Sequence, residues 1–310
     1  MRNLPLNPDT MQVIALALGV GPEEIAGISS LKTGMTNRSF LFTCRGTKYI
    51  LRIPGEGTGQ LISRQEEAAV YRLIQSQGLG GDVLYINPDN GYMISRFIEG
   101  ARNCDPLNPK ETAACMETLR AFHRLGLRVE HEFDIFAHIE FYQQLWEGRP
   151  SAYPDYLQTK ENVLRLKPFI DAQVEKKVLT HIDAVPDNFL FCQNGRGETE
   201  IRLIDWEYAA MQDPHVDVAM FCLYAMYDRA QADQLIGQYF PEGCPVKTRI
   251  KIYCYIAACG LLWSNWCEYK HSLGVELGEY SVKQYRYAQD YYRIAASELE
   301  QIGEWDSCTL

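Results

Sequence analysis

An α+β protein in two lobes is what this sequence predicts, with a small N-terminal β-sheet lobe over residues 1–98 and a larger, mostly helical C-terminal lobe over residues 99–310. Three observations carry that expectation. β-forming runs separated by hairpin signals fill the stretch before residue 98. Helical periodicity dominates from about Pro109 onward. One further hairpin, centred near Gly195, interrupts the helices. The length agrees, since 310 residues suffice for two domains of roughly 150. A composition of 46% hydrophobic and 23% charged residues is that of a globular chain with a real core.

Along the chain, Met11 to Leu18 reads as the core face of a first helix, because it lacks the basic leader and cleavage site of an export signal. Ser39–Cys44 and Lys48–Ile53 are strands joined at Arg45-Gly46-Thr47, and Pro54-Gly55-Glu56-Gly57 ends the second. Ser63 to Gln77 reads as a helix with Ala68, Ala69, Leu73 and Ile74 on its buried face and Gly78 as its stop. Val83–Ile86 and Tyr92–Ile98 flank Asn90-Gly91 as two more strands, and the lobe boundary falls near Ser95 to Gly100.

A formal net charge of −10 argues against a nucleic-acid partner, which needs a basic face to displace counterions, and suits a cationic small molecule. Ten scattered cysteines with no CxxC pair read as reduced thiols and place the protein in the cytoplasm. No run approaches the roughly 18 apolar residues that membrane insertion requires.

The chemistry is concentrated between residues 180 and 219. Strands Phe189–Cys192 and Ile201–Ile204 flank the turn Gln193-Asn194-Gly195-Arg196-Gly197, so Asn188 and Asp205 stand nearly equidistant from the turn. Two oxygen donors at adjacent strand ends suit Mg²⁺, which keeps several of its waters. Asp183 precedes them in a loop that Pro186 keeps from becoming a helix interior. Its expected role is to orient a hydroxyl and accept its proton, with His181 bracing the loop. Asp217, in Asp213-Pro214-His215-Val216-Asp217-Val218-Ala219, is expected to anchor that loop from a helix start. A base, an amide ligand and a second carboxylate in this order point to an ATP-dependent phosphotransferase.

His181-x-Asp183-x4-Asn188, then Ile204-Asp205-Trp206-Glu207-Tyr208-Ala209 and Asp213-Pro-x-x-Asp217-x-Ala219, resembles the choline/ethanolamine kinase family, within the wider aminoglycoside-phosphotransferase-like kinases. The likeness runs from about Gly34 to Tyr292 and is strongest to bacterial choline kinases. It implies a two-lobed protein-kinase-like fold acting with ATP and Mg²⁺. Gly34-Met35-Thr36-Asn37 then matches the family's phosphate loop, with Thr36 and Asn37 closing over the ATP phosphates. Arg52 stands where protein kinases carry a strand lysine, and Glu67 on the next helix would pair with it. Ser95-Arg96-Phe97-Ile98 matches the connector that meets adenine.

The acceptor is read from the C-terminal third. Trp263 and Trp266 are three residues apart on a presumed helix and share a face, as do Tyr285 and Tyr292. Such rings commonly form core; a quaternary ammonium, which donates no hydrogen bond, also requires aromatic faces. The resemblance implies a choline cage of Trp263, Trp266 and Tyr285, with Tyr280 and Tyr287 as alternatives to the last. Choline kinase is the leading expectation. Its rivals are an ethanolamine kinase using Glu207 or Glu268 as ammonium acceptor, an aminoglycoside or amino-sugar phosphotransferase, and a non-catalytic kinase-fold binding protein. The presence of Asp183, Asn188 and Asp205 together speaks against the last.

Overall fold

The structure, a computed structural model, describes residues 8–33, 36–55, 57–80 and 82–305. The chain opens with α1 (Pro8–Leu18), then β1 (Ile25–Thr33), β2 (Asn37–Cys44), β3 (Thr47–Pro54), α2 (Arg64–Ser76), β4 (Val83–Ile86) and β5 (Met93–Arg96). The strands form an antiparallel sheet in the order β1-β2-β3-β5-β4. The β2–β3 turn is tight because Arg45 and Gly46 both take positive φ, 50° and 76°. Strand β1 goes beyond the sequence reading. Its pairing with β2 shifts register twice, and Gly27 lies at φ 65°, so its residues show no clean alternation. Phe42, Leu51 and Ile94 from the sheet and Ile14 from α1 are completely buried together.

Helix α2 begins at the Ser63 cap, whose Oγ accepts the Glu66 N–H. Its buried face differs from the expected one. Ala68 and Ile74 are buried, but Ala69 and Leu73 are only half-buried, while Arg64, Glu67, Val70 and Tyr71 turn inward. The reason is electrostatic: Glu67 is drawn in by two arginines, which rotates the face toward the charged side.

The chain continues through β6 (Arg102–Asn103), α3 (Pro109–Arg124), α4 (Ile135–Gln144), α5 (Tyr156–Leu164), α6 (Lys167–Gln173), β7 (Val178–Thr180), β8 (Phe189–Gln193), β9 (Thr199–Leu203) and β10 (Ala210–Gln212). It closes with α7 (His215–Tyr224), α8 (Arg229–Tyr239), α9 (Val246–Ser272) and α10 (Glu279–Gln301). Strands β6, β8 and β9 form one small sheet, and β7 pairs antiparallel with β10.

Two compact units result. One holds the described residues up to Arg102 together with Leu190–Tyr208; the other holds Asn103–Phe189 and the described residues from Ala209 onward. In the second, α9 is the axis. It is buried almost continuously from Ile250 to Lys270 and packs against α4, α5, α6, α7 and α10. No described helix is long and apolar enough to cross a membrane.

Candidate functional site

In the first unit the site residues converge on a buried set of charges. Arg52, on β3, donates Nη2 to Glu67 Oε1 and Nη1 to Asp205 Oδ1 at 2.9 Å. Arg64, at the start of α2, donates Nη1 to Glu67 Oε2 at 2.8 Å and to Glu207 Oε2 at 3.3 Å. Asn37 donates Nδ2 to Glu207 Oε2 at 2.8 Å. Burial works against the Arg52 charge, yet Glu67, Glu207 and Asp205 together hold its pKa above the usual arginine range.

Three carboxylates thus surround two guanidiniums, one negative charge in excess. Asp205 carries the strain of that excess: burial first, then the Glu207 charge, pushes its carboxyl up to about 7 against the opposing pull of Arg52. It follows β9 with φ 65°, a left-handed conformation uncommon for a residue with a side chain. Its side chain keeps 34% exposure, whereas Glu67 and Glu207 have almost none.

The Thr36–Asn37 segment is tied to the end of β3. Gly55 donates its N–H to Thr36 O at 2.8 Å, and a Cβ at Gly55 would lie 2.5 Å from that oxygen, so only glycine permits the approach. Gly34 lies outside the described residues. In the connector, Phe97 donates its N–H to Lys48 O at 3.0 Å and its ring lies 5.9 Å beneath Lys48 Nζ, while Ile98 is half-buried.

In the second unit, β7 delivers a loop from His181 to Asn188. Asp217, in the first turn of α7, accepts the N–H of His181 at Oδ2 (2.9 Å) and that of Ile182 at Oδ1 (2.8 Å). His123 Nε2 lies 2.8 Å from the same Oδ2, and its Nδ1 lies 2.8 Å from Tyr239 Oη. Ile182 has φ 66°, a strained setting for a β-branched residue. His181 is completely buried, whereas Asp183 is half-buried. Asn188 donates Nδ2 to Asp183 O at 2.8 Å and lies 3.3 Å from its Oδ2, which turns the amide oxygen away from the loop.

Among the described residues no three His, Cys, Asp or Glu side chains cluster as a closed metal cage. The donors present fit a different kind of ion. In the first unit Asp205, a partly exposed carboxylate in a cluster with one surplus negative charge, and in the second unit the amide oxygen of Asn188 are each hard oxygen donors of the kind Mg²⁺ takes.

Trp263 and Trp266 are both buried on α9, with centroids 5.9 Å apart and planes at 74°. Trp263 Nε1 donates to Met220 Sδ at 3.1 Å, and Lys270 Nζ lies 5.7 Å from the centroid of Trp266. Tyr285 is engaged elsewhere. Its ring stacks on Tyr153 at 3.8 Å, and its hydroxyl donates to Asp155 Oδ1 at 2.8 Å and lies 2.8 Å from Thr159 Oγ1. Glu207 and Glu268 are likewise committed, the latter to Ser151 Oγ and the Ala152 N–H. Tyr224 of α7 and Tyr280 of α10 lie edge to face with centroids 6.1 Å apart. Burial raises both phenols; Asp187, by charge and hydrogen bond, raises Tyr224 further, and the Asp183 charge adds a smaller rise to each. Tyr224 also donates to Asp187 Oδ2 at 3.1 Å.

Sequence reasoning missed Arg64 and Tyr224 altogether. Arg64 had a readable signal, its three-residue spacing to Glu67 on one helix turn. Tyr224 had none, because its place depends on how α7 and α10 meet.

A sequence profile of the choline/ethanolamine kinase family matches residues 28–286. The chain belongs to the choline/ethanolamine kinase family. It is 25% identical over 265 residues to the Protein LicA of Haemophilus influenzae, covering 81% of this chain and 76% of that protein. The crystal structure of the choline kinase LicA from Streptococcus pneumoniae superposes with a TM-score of 0.78 at 26% identity, covering 92% of this chain and 99% of that one. A LicA structure in complex with AMP gives 0.78 at 27% identity, covering 93% and 98%. As a member of this family the chain has a kinase-like fold and is a phosphotransferase.

Proposed function

We propose that this family member is a choline kinase, transferring the γ-phosphoryl group of ATP to the choline hydroxyl to give phosphocholine and ADP. The observation that carries this reading is the edge-to-face pair Tyr224 and Tyr280, with Tyr224 donating to Asp187 in the loop that also carries Asp183. Aromatic faces beside a proton acceptor suit a substrate with a cationic head and a hydroxyl two carbons away.

Asp183 orients that hydroxyl and takes its proton as the oxygen attacks phosphorus and the bond to ADP breaks. Asp217 holds the loop of Asp183 through two main-chain bonds, and buried His181 braces it. Asn188 and Asp205 are the oxygen donors for Mg²⁺, which when bound neutralises charge on the transferring group. Arg52, steadied by Glu67, and the loop from Gly34 through Thr36 and Asn37 meet the phosphates, and Phe97 and Ile98 meet adenine. Trp263 and Trp266 line the cage, with Lys270 already over one face of Trp266. Tyr285, engaged through ring and hydroxyl, is a weaker wall than Tyr280. The reduced cysteines suit a cytoplasmic enzyme.

ADP release with Mg-ATP against choline, ethanolamine and kanamycin in parallel tests the reading. Choline is expected to be used best; preferential use of kanamycin overturns it.

A further inference from the structure

Glu207 lies buried two residues beyond Asp205, and its Oε2 gathers side chains from segments far apart in the chain. It accepts Asn37 Nδ2 at 2.8 Å and Arg64 Nη1 at 3.3 Å, and Arg52 Nη1 lies 3.7 Å away. Asn37 is itself buried and opens β2, opposite Pro54 of β3. An ionised carboxylate accepts hydrogen bonds and donates none, so it fixes which way the Asn37 amide faces. Nδ2 points to Glu207, and it also reaches Thr36 Oγ1 at 3.4 Å.

The Thr36–Asn37 pair is therefore held twice. Gly55 binds the Thr36 carbonyl through the main chain, and Glu207 binds the Asn37 side chain. The second hold is the stronger, because one partner is charged and the bond is buried. Glu207 has support of its own. Arg64 shares Nη1 between it and Glu67 Oε2, and donates Nη2 to Thr58 Oγ1 at 3.3 Å. All of these residues belong to the first unit.

We propose that Glu207 is a positioning residue for nucleotide binding. Through the Asn37 amide it fixes the Thr36–Asn37 end of the loop that begins at Gly34, and so presets that loop for the phosphates of Mg-ATP. This rests on the reading above in which that loop meets the phosphates. A segment ordered before binding loses little freedom on binding, which favours affinity. If Glu207 only balanced the charges of Arg52 and Arg64, the effect of removing it would not depend on the side chain at position 37.

The test is a double-mutant cycle on the full chain, read as Kd for Mg-ATP by equilibrium binding and as KM for choline. Asn37→Ala is expected to weaken Mg-ATP about 10–100-fold, the worth of one hydrogen bond to a charged group. Glu207→Ala weakens it at least as much, and the two changes together lose no more than Glu207→Ala alone. Glu207→Gln keeps an acceptor oxygen for Asn37 and stays within about fivefold of wild type. KM for choline stays within about threefold throughout. Additive losses in the double variant, equal losses for nucleotide and choline, or an Asn37→Ala that binds Mg-ATP like wild type overturn the inference. Where Glu207→Ala folds poorly, Asn37→Ala and Glu207→Gln decide: the first must lose affinity and the second keep it. A wild type that binds no Mg-ATP overturns the phosphate reading instead.

Discussion

Asp217 holds Ile182 in a left-handed conformation, accepting its N–H at Oδ1 from 2.8 Å while the residue sits at φ 66°. For a β-branched residue that conformation costs on the order of 1–2 kcal/mol, so the carboxylate maintains a strained loop one residue before Asp183. Asp217→Asn presents an amide where two N–H groups point. It should lower the melting temperature, with a loss of about 1–3 kcal/mol, and lower kcat while KM for ATP stays near wild type. Adding Ile182→Gly, which removes the strain, should restore part of kcat. No rescue would separate the strain from the catalytic loss.

Asp183→Ala should reduce ADP release by about 10²–10⁴-fold if Asp183 is the proton acceptor. Nucleotide affinity, read by equilibrium binding, should hardly change. A variant with wild-type turnover would strip Asp183 of the role.

Asp205 gives a pH signature. Its folded pKa of about 7 lies above that of an unfolded aspartate. The folded state therefore binds the extra proton, and the ligand-free protein loses stability as pH rises from about 4 through 7. As the proposed Mg²⁺ ligand, Asp205 would take Mg-nucleotide in its ionised form. The rise in melting temperature caused by Mg-nucleotide should accordingly grow between pH 5.5 and 8, roughly one titration. Asp205→Asn should flatten that growth; a variant with the same slope would point to another group.

His215 works in the opposite sense. Burial depresses it to about 4, despite Asp213 Oδ1 lying 3.1 Å from its Nδ1. An unfolded histidine takes up its proton near 6.5, so stability is complete above about pH 6.5 and falls as pH drops toward 4. Urea midpoints of His215→Gln should lose less between pH 7 and 4.5 than those of wild type.

Trp263→Ala should raise the KM for choline by up to about tenfold, the worth of one desolvated ring, and leave that for ATP nearly unchanged. Equal effects on both substrates would mark Trp263 as core beneath Met220.

What was legible in the sequence was what lies close along it. Asp183, Asn188 and the turn at Asn194–Gly197 fall within a short segment, and turn chemistry places them without knowledge of the fold. Arg52 with Glu67 could be paired because one strand–helix step separates them. Strand β1 escaped because Gly27, two serines and two register shifts erase its alternation. The partners of Glu207, Asn37 and Arg64, lie 170 and 143 residues away, and no local pattern announces them. Tyr285 turns toward Tyr153 and Asp155, while Tyr280, five residues before it, packs on Tyr224, a split that helical spacing alone does not announce.

The membership of Leu190–Tyr208 in the first unit bears on the order in which that unit can mature during synthesis. When the ribosome has made residue 102, Glu67 is the one carboxylate of the three around Arg52 and Arg64 that has been synthesised. Asp205 and Glu207 emerge about a hundred residues later, at 5–20 residues per second a delay of roughly 5–20 seconds. Until then the charge set of the first unit cannot close, and the segment that ends at Tyr208 completes the N-terminal unit from late in the chain.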